Sequence, residues 1–177
     1  MIKPTKKFPK FKLENAQAML KFALVFPIVL LITYGLIEFG RMIFIYSAVT
    51  SSAREGARYG AAAGKVDGIP QFAYCSKIRD AVRRTAFLIT IPDNKIWISY
   101  DNGPGLGNVA PSCEALNPSD IDLGDRIIVK VIAHYEPMIG RFLGVGGFDI
   151  TIENARTILV NILSNLNPYT HIHFYHY

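Results

Sequence analysis

Signatures of enzyme chemistry are scarce in this sequence of 177 residues. No Ser/His/Asp order, acid pair or phosphate-binding loop stands out, so we expect neither catalytic machinery nor a cofactor. The acidic segment DIDLGD (120–125) has neither the spacing nor the glycine position of a calcium loop, and it predicts turn formation or helix capping. The sequence therefore favours a structural or interaction role over catalysis.

Histidine and cysteine are also few. Three of the four histidines, His171, His173 and His176, lie in the segment HIHFYHY. Such a cluster can bind Zn or Cu, but no Cys or acid is near, so an aromatic tail that packs or frays is the main expectation. Cys75 and Cys113 form a disulfide if their region is exported, or remain free thiols in a reducing cytoplasm.

Acidic residues are rare at the start of the chain, and the charge is unevenly distributed. Residues 1–41 hold six Lys and one Arg against Glu14 and Glu38, whereas residues 42–177 hold twelve basic and twelve acidic residues. All of the net charge of +5 is therefore N-terminal. Base-stacking aromatics among these lysines are too few to indicate nucleic-acid binding.

The first lysines directly precede a long apolar run. No charge occurs in the sixteen residues between Lys21 and Glu38, and residues 18–39 can form about 30 Å of helix. Because basic flanks stay on the cytoplasmic side, the N-terminus should face inward and the chain after Arg41 outward. A cleaved secretory signal is the alternative, but its apolar core is usually about 7 to 15 residues and ends at a small-residue cleavage site.

The remaining pattern predicts an α+β fold. One helix should run from about Leu13 to about Ala63, kinked at Pro27, and Ser76 should cap a second helix over 76–89. Segments 95–100, 126–135 and 148–160 predict about three strands of a small antiparallel sheet, covered by the outer half of the long helix. The expected division is a cytoplasmic leader (1–17), a transmembrane helix (18–41), its outer continuation (42–66) and an exported α+β domain (67–177).

The stretch AREGARYG (53–60) lies on the outer part of the predicted helix. Arg54 and Arg58 share a helix face, and Glu55 can pair with Arg58, which contributes only about 0.3–0.5 kcal/mol. Gly56, Gly60 and Gly64 predict a groove of small residues at a spacing of four. Either the protein's own sheet or a neighbouring subunit could fill that groove.

The segment from Gln17 to Ala62 resembles the N-terminal signature of TadE-like proteins, the minor pseudopilins of tight-adherence (Tad) pilus systems within the type IV pilus superfamily. Two blocks carry the resemblance: QAMLKFALVFPIVLLITYGLIEFGR, which ends in Phe39, Gly40 and Arg41, and the later AREGARY. The second block comprises Ala53, Arg54, Glu55, Gly56, Ala57, Arg58 and Tyr59.

This resemblance places a prepilin-peptidase site at Ala16 and Gln17. In the family motif a glycine precedes the cut and a glutamate followed by an aromatic stands at the fifth mature position, where this chain has Ala16, Lys21 and Phe22. Alanine for glycine is a mild change, but Lys21 adds a positive charge where the family has a negative one. Either cleavage fails and the chain remains an anchor, or it acts beside a subunit that supplies the acid.

The resemblance implies a non-enzymatic pilus-assembly component in the cell membrane. Its implied partners are other pilin-like or pseudopilin subunits, an inner-membrane assembly platform and a prepilin peptidase. The alternative is a single-pass membrane protein whose exported domain is an enzyme or binding module unrelated to pili.

Overall fold

The computed structural model describes residues 13–86, 89–138, 140, 144 and 146–159, with backbone alone for 13–16. These residues belong to two compact units that divide between Met42 and Ile43. The long helix α1, Leu13–Gly60, contributes to both units. Among the described residues it is the one helix long and apolar enough to cross a membrane.

The first unit holds the apolar part of α1, and Pro27 lies inside the helix. None of its most apolar 18-residue window is buried. Phe22, Leu24 and Leu36, for example, are about two-thirds exposed. Because soluble proteins rarely expose so large an apolar surface, this part of the helix is a candidate membrane span.

The second unit begins with the last turns of α1. These are followed by a short hairpin, β1 (Lys65–Val66) and β2 (Ile69–Pro70), and then by the helix α2 (Cys75–Thr85). The predicted outer continuation to residue 66 is therefore too long, since α1 ends at Gly60. A tight turn with positive φ at Asp67 and Gly68 forms the hairpin instead.

The second helix also differs from the prediction at its ends. Its N-cap is Tyr74, which makes no side-chain cap hydrogen bond, so Ser76 is not the cap. It ends at Thr85 rather than near residue 89. The expected apolar face is present, because Ile78, Ala81 and Val82 are buried.

Four strands form the main sheet: β3 (Ile96–Asp101), β4 (Asn108–Ala110), β5 (Arg126–Tyr135) and β6 (Phe148–Thr157). Their order is β4-β3-β5-β6, and all pairs are antiparallel. The α+β class is confirmed. The sheet has four strands and not the expected three, because the prediction lacked β4, a three-residue strand within a loop rich in Gly and Pro.

The core lies between one face of this sheet and the two helices. Alternation along β5 buries Ile127, Val129 and Val131, because successive side chains point to opposite faces. The same alternation in β3 buries Ile96, Ile98 and Tyr100. Residues of α1 and α2 complete one continuous cluster with them, including Val49, Ala53, Ala57, Ile78 and Val82.

Candidate contact segment on the long helix

The AREGARYG segment forms the last turns of α1, and its two kinds of residue face in opposite directions. Ala53 and Ala57 are fully buried, and Gly56 and Gly60 are buried as well. Arg54 and Arg58 are exposed. A helix period of 3.6 residues separates positions 53, 56, 57 and 60 from 54 and 58 in this way.

The groove of small residues is filled by the second unit's own side chains. A Cβ added to Gly56 would lie 2.5 Å from Val82 Cγ2 of α2 and 3.2 Å from Val129 Cγ1 of β5. A Cβ on Gly60 would overlap the end of the Ile127 side chain. Glycine at these two positions therefore lets α1 approach both α2 and the sheet closely.

Two other small residues, Gly64 and Ser52, differ from these glycines in their surroundings. Gly64 lies beyond the end of α1 and is exposed, so it does not extend the groove, and its carbonyl accepts a hydrogen bond from Gln71 N. Ser52 is fully buried, and its hydroxyl donates to the Ala48 carbonyl at 2.8 Å. The one polar side chain on this inner face is thus satisfied within the helix.

On the outer side, Arg58 and Glu55 form a two-pronged ion pair. Arg58 Nε donates to Glu55 Oε2 at 2.8 Å and Nη2 to Oε1 at 2.6 Å. This hydrogen bonding is the main reason that the pKa of Glu55 is lowered, and the nearby charges of Arg84 and Arg156 lower it further. Arginines from α1, α2 and β6 therefore act electrostatically on one carboxylate, and Arg58 alone among them hydrogen-bonds it.

The FGR motif lies in the apolar part of α1. Phe39 is 57% exposed, and a Cβ on Gly40 would meet nothing within 4 Å. Arg41 Nη2 donates to Glu38 Oε1 at 2.6 Å, and Tyr34 also hydrogen-bonds Glu38. These charges are paired along the helix surface, which lowers the cost of an apolar environment.

The residues of the suggested processing site lie at the start of the same helix. Gln17, Lys21 and Phe22 are exposed, and Phe22 stacks on Phe26 with ring centroids 5.2 Å apart. The side chain of Ala16 lies outside the described residues. Among the side chains that the structure describes at this end of the helix, none supplies a carboxylate near Lys21.

Cys75 and Cys113 are joined by a disulfide. The bond fastens the first residue of α2 to the turn that follows β4, across 38 residues of sequence. Beside it, the buried Tyr100 hydroxyl donates to the Phe72 carbonyl and lies 3.3 Å from Cys113 Sγ. Burial raises the pKa of Tyr100.

In the part of the chain that the structure describes, no group of His, Cys, Asp and Glu could hold a metal ion. His171, His173 and His176 lie outside that part. In the DIDLGD segment, the buried Asp125 accepts hydrogen bonds from the Asp122 backbone and the Asn102 side chain. These bonds make it a turn residue.

Sequence reasoning did not identify the ion pairs that join separate elements. Asp101 of β3 and Arg126 of β5 form a two-pronged pair at 2.8 and 2.6 Å. Arg84 and Arg156 were also missed as neighbours of Glu55. No local pattern marks such residues, because their proximity depends on strand register and helix packing.

The structure thus defines a small α+β unit built on the end of a long apolar helix of the kind that anchors single-pass membrane proteins. The family model for TadE-like protein matches residues 16–58, which is about a quarter of the chain. The resemblance drawn from the sequence is confirmed. No curated protein and no solved structure matches the chain at a significant level.

Proposed function

We propose that this protein is a non-enzymatic, membrane-anchored pseudopilin-like component of a Tad-type pilus assembly or secretion apparatus. The observation that carries the proposal is the TadE-like match over residues 16–58, which includes both the apolar span and most of the AREGARYG segment. The structure supports it by joining these two parts in one helix, α1.

The orientation follows from charge and redox chemistry. The lysine-rich start of the chain stays in the cytoplasm, α1 crosses the membrane, and the unit from Ile43 onward is exported. The disulfide supports this orientation, because such bonds persist outside the reducing cytoplasm.

The partners proposed are neighbouring pilin-like subunits and the membrane platform that assembles them. Exposed apolar side chains along residues 19–39 form a surface suited to other transmembrane helices as well as to lipid. Lys21 then faces a partner that carries a carboxylate, since an unpaired charge in a bilayer is costly.

A measurement of the mature N-terminus, by mass spectrometry of membrane fractions, tests the processing step. A chain starting at Gln17 supports cleavage by a prepilin peptidase despite Lys21. A chain retaining Met1 supports a permanent anchor. A start after Ala48 would contradict membrane retention and with it the proposed function.

A second experiment distinguishes the pilus role from a membrane-tethered enzyme or binding domain. Residues 17–41 are replaced by an unrelated apolar helix of equal length in the full chain, and pilus assembly is compared with the level of membrane-inserted protein. We expect pili to be lost while insertion and the disulfide are kept. Normal pili with the unrelated helix would exclude a role for the family-matched span.

A further inference from the structure

Three arginines act on a single carboxylate, that of Glu55. Glu55 is paired with Arg58, and the side chains of Arg84 and Arg156 are close enough to lower its pKa. In the described chain, neither Arg84 nor Arg156 forms an ion pair of its own, and both are exposed. We define Arg58, Arg84 and Arg156 as the arginine cluster, which carries three positive charges against one negative charge.

The cluster contributes little to the fold. Its guanidinium groups come from α1, α2 and β6 and lie at the surface, where an ion pair adds little to stability. Like charges brought together by packing repel one another unless a counter-charge is present. The three exposed guanidinium groups act on one carboxylate, so this surface carries a net positive charge, which favours an anionic partner.

A shallow groove borders the cluster. It has a volume of about 350 Å³ and is lined by Arg58 and Arg156, by the apolar side chains of Ala61, Ala62 and Leu159, and by Thr157. Leu159 is 61% exposed. Guanidinium groups above an apolar floor suit a segment that presents carboxylates beside aliphatic side chains, because arginine binds carboxylates in a two-pronged geometry.

A later segment of this chain and a second copy are the alternative occupants of this site. Residues 160–177 include no Asp or Glu. In a second copy six carboxylates are already paired with its own basic residues, namely Glu55, Asp80, Asp93, Asp101, Glu114 and Asp149, whereas the exposed Asp67, Asp120, Asp122 and Glu153 are in no ion pair among the described residues. Two copies meeting at their clusters would also repel each other.

We propose that the arginine cluster and its groove bind an acidic segment of a different subunit in the assembly. The inference rests on the proposed function, from which it takes the existence of partner subunits, and it adds the chemistry of the partner. Arg54, exposed one turn before Arg58, extends the same surface toward such a segment.

The test uses the full chain in zwitterionic detergent and a fluorescent alanine-based peptide with glutamates four residues apart. Peptides with glutamine or lysine at the same positions serve as ligand controls. Binding is followed by fluorescence anisotropy at two salt concentrations. We expect the glutamate peptide to bind more tightly than both controls and to weaken with salt.

The decisive variant is Arg84→Gln/Arg156→Gln, which leaves the Arg58–Glu55 pair intact. We expect it to lose affinity for the glutamate peptide by roughly tenfold, from two exposed charge contacts. The matched control, Lys65→Gln/Lys77→Gln, removes the same charge at exposed positions and should bind as the wild type does. Unchanged thermal melting shows that both variants fold.

Three results would overturn the inference. The first is equal binding of the glutamate and glutamine peptides, or an equal loss in both double variants. The second is self-association in sedimentation that disappears in Arg84→Gln/Arg156→Gln, which assigns the site to a second copy. The third concerns the full chain in nanodiscs instead of detergent. If phosphatidylglycerol nanodiscs abolish peptide binding, phosphatidylcholine nanodiscs do not, and the effect depends on the arginines, the site belongs to the membrane surface.

The proposed function is judged separately, by the dependence of pili on the α1 anchor. If the peptide does not bind while pili still require residues 17–41, the partner chemistry is wrong and the pilus role remains. If pili do not require the anchor while the peptide binds, the pilus role is wrong and the partner chemistry remains.

Discussion

Gly56 shows how one missing side chain determines the distance between three elements. Val82 of α2 and Val129 of β5 both occupy the space that a Cβ would need. Glycine in mid-helix costs up to about 1 kcal/mol relative to alanine, so its presence here reflects close packing and not helix propensity.

Replacing Gly56 with valine should lower the free energy of unfolding by about 2 kcal/mol, because overpacking a tight core costs about 1–3 kcal/mol. The measurement is urea unfolding of the full chain in detergent, followed by Trp97 fluorescence. The matched control is Ser51→Val, at an exposed position of the same helix, which should change stability by no more than about 0.5 kcal/mol. Equal effects of the two changes would refute the packing role of Gly56.

Asp101 forms a charge-assisted hydrogen-bonded pair with Arg126. It is 7% exposed, and its hydrogen bonds from Arg126, followed by one from Gly103 N, hold its pKa below the usual range. Replacing it with asparagine should cost about 2 kcal/mol at pH 7, since charge-assisted hydrogen bonds are lost.

The pH dependence of that difference has a definite sign. A carboxyl whose folded pKa is lowered contributes its stability above its unfolded pKa, near 4, and loses it as the pH falls through the folded value. The stability gap between wild type and Asp101→Asn should therefore close below about pH 4. Denaturant unfolding across this pH range measures the gap, with the exposed Asp120→Asn as control; a gap that stays constant with pH would contradict the pairing.

Among the elements, α1 carries two different surfaces in succession. Its first part exposes large apolar side chains, and its last turns present a narrow row of Gly, Ala and Ser to the sheet. The small residues bring the backbone of α1 close to β5 and α2, so a modest sheet can bury the helix. The segment that the family model matches, residues 16–58, includes most of both surfaces.

The disulfide fixes α2 relative to the loop after β4, and its removal should affect stability more than any surface ion pair. Cys75→Ala/Cys113→Ala should lower the free energy of unfolding by about 2–4 kcal/mol, by analogy with native disulfides in small exported domains. Denaturation with and without a reducing agent measures this. The reducing agent should weaken the wild type by a similar amount and leave the double variant unchanged; an unaffected wild type would argue against the bond.

The N-terminal lysines should decide which side of the membrane receives the second unit. Basic residues near a span are retained in the cytoplasm, so changing all five to glutamine should invert part of the population. The residues are Lys3, Lys6, Lys7, Lys10 and Lys12. Inverted molecules should also lack the Cys75–Cys113 bond, because the cytoplasm is reducing.

Protease protection in spheroplasts, combined with thiol labelling, measures both effects at once. Changing Lys65, Lys77, Lys95 and Lys130 to glutamine removes four charges far from the span in sequence and should leave the orientation unchanged. An unaltered orientation in the N-terminal variant would contradict the charge argument and leave the direction of export unexplained.

Residue spacing and composition were enough to predict the features that depend on local periodicity. The uncharged run between Lys21 and Glu38, the opposite faces of AREGARYG and the bounds of β5 at 126–135 all follow from residue spacing. The short strand β4 and the end of α1 at Gly60 were not predicted, because a three-residue strand carries little periodic signal and three alanines follow Gly60.

Contacts between residues far apart in sequence became visible in the folded chain. Strand register joins Asp101 to Arg126, and packing of α1, α2 and β6 brings Arg84 and Arg156 to Glu55. It also fills the glycine groove with Val82 and Val129 of the same unit. Such contacts depend on the close approach of elements that are far apart in sequence. Hydrophobic periodicity and charge pattern, by contrast, can be recognised within a few turns of the chain.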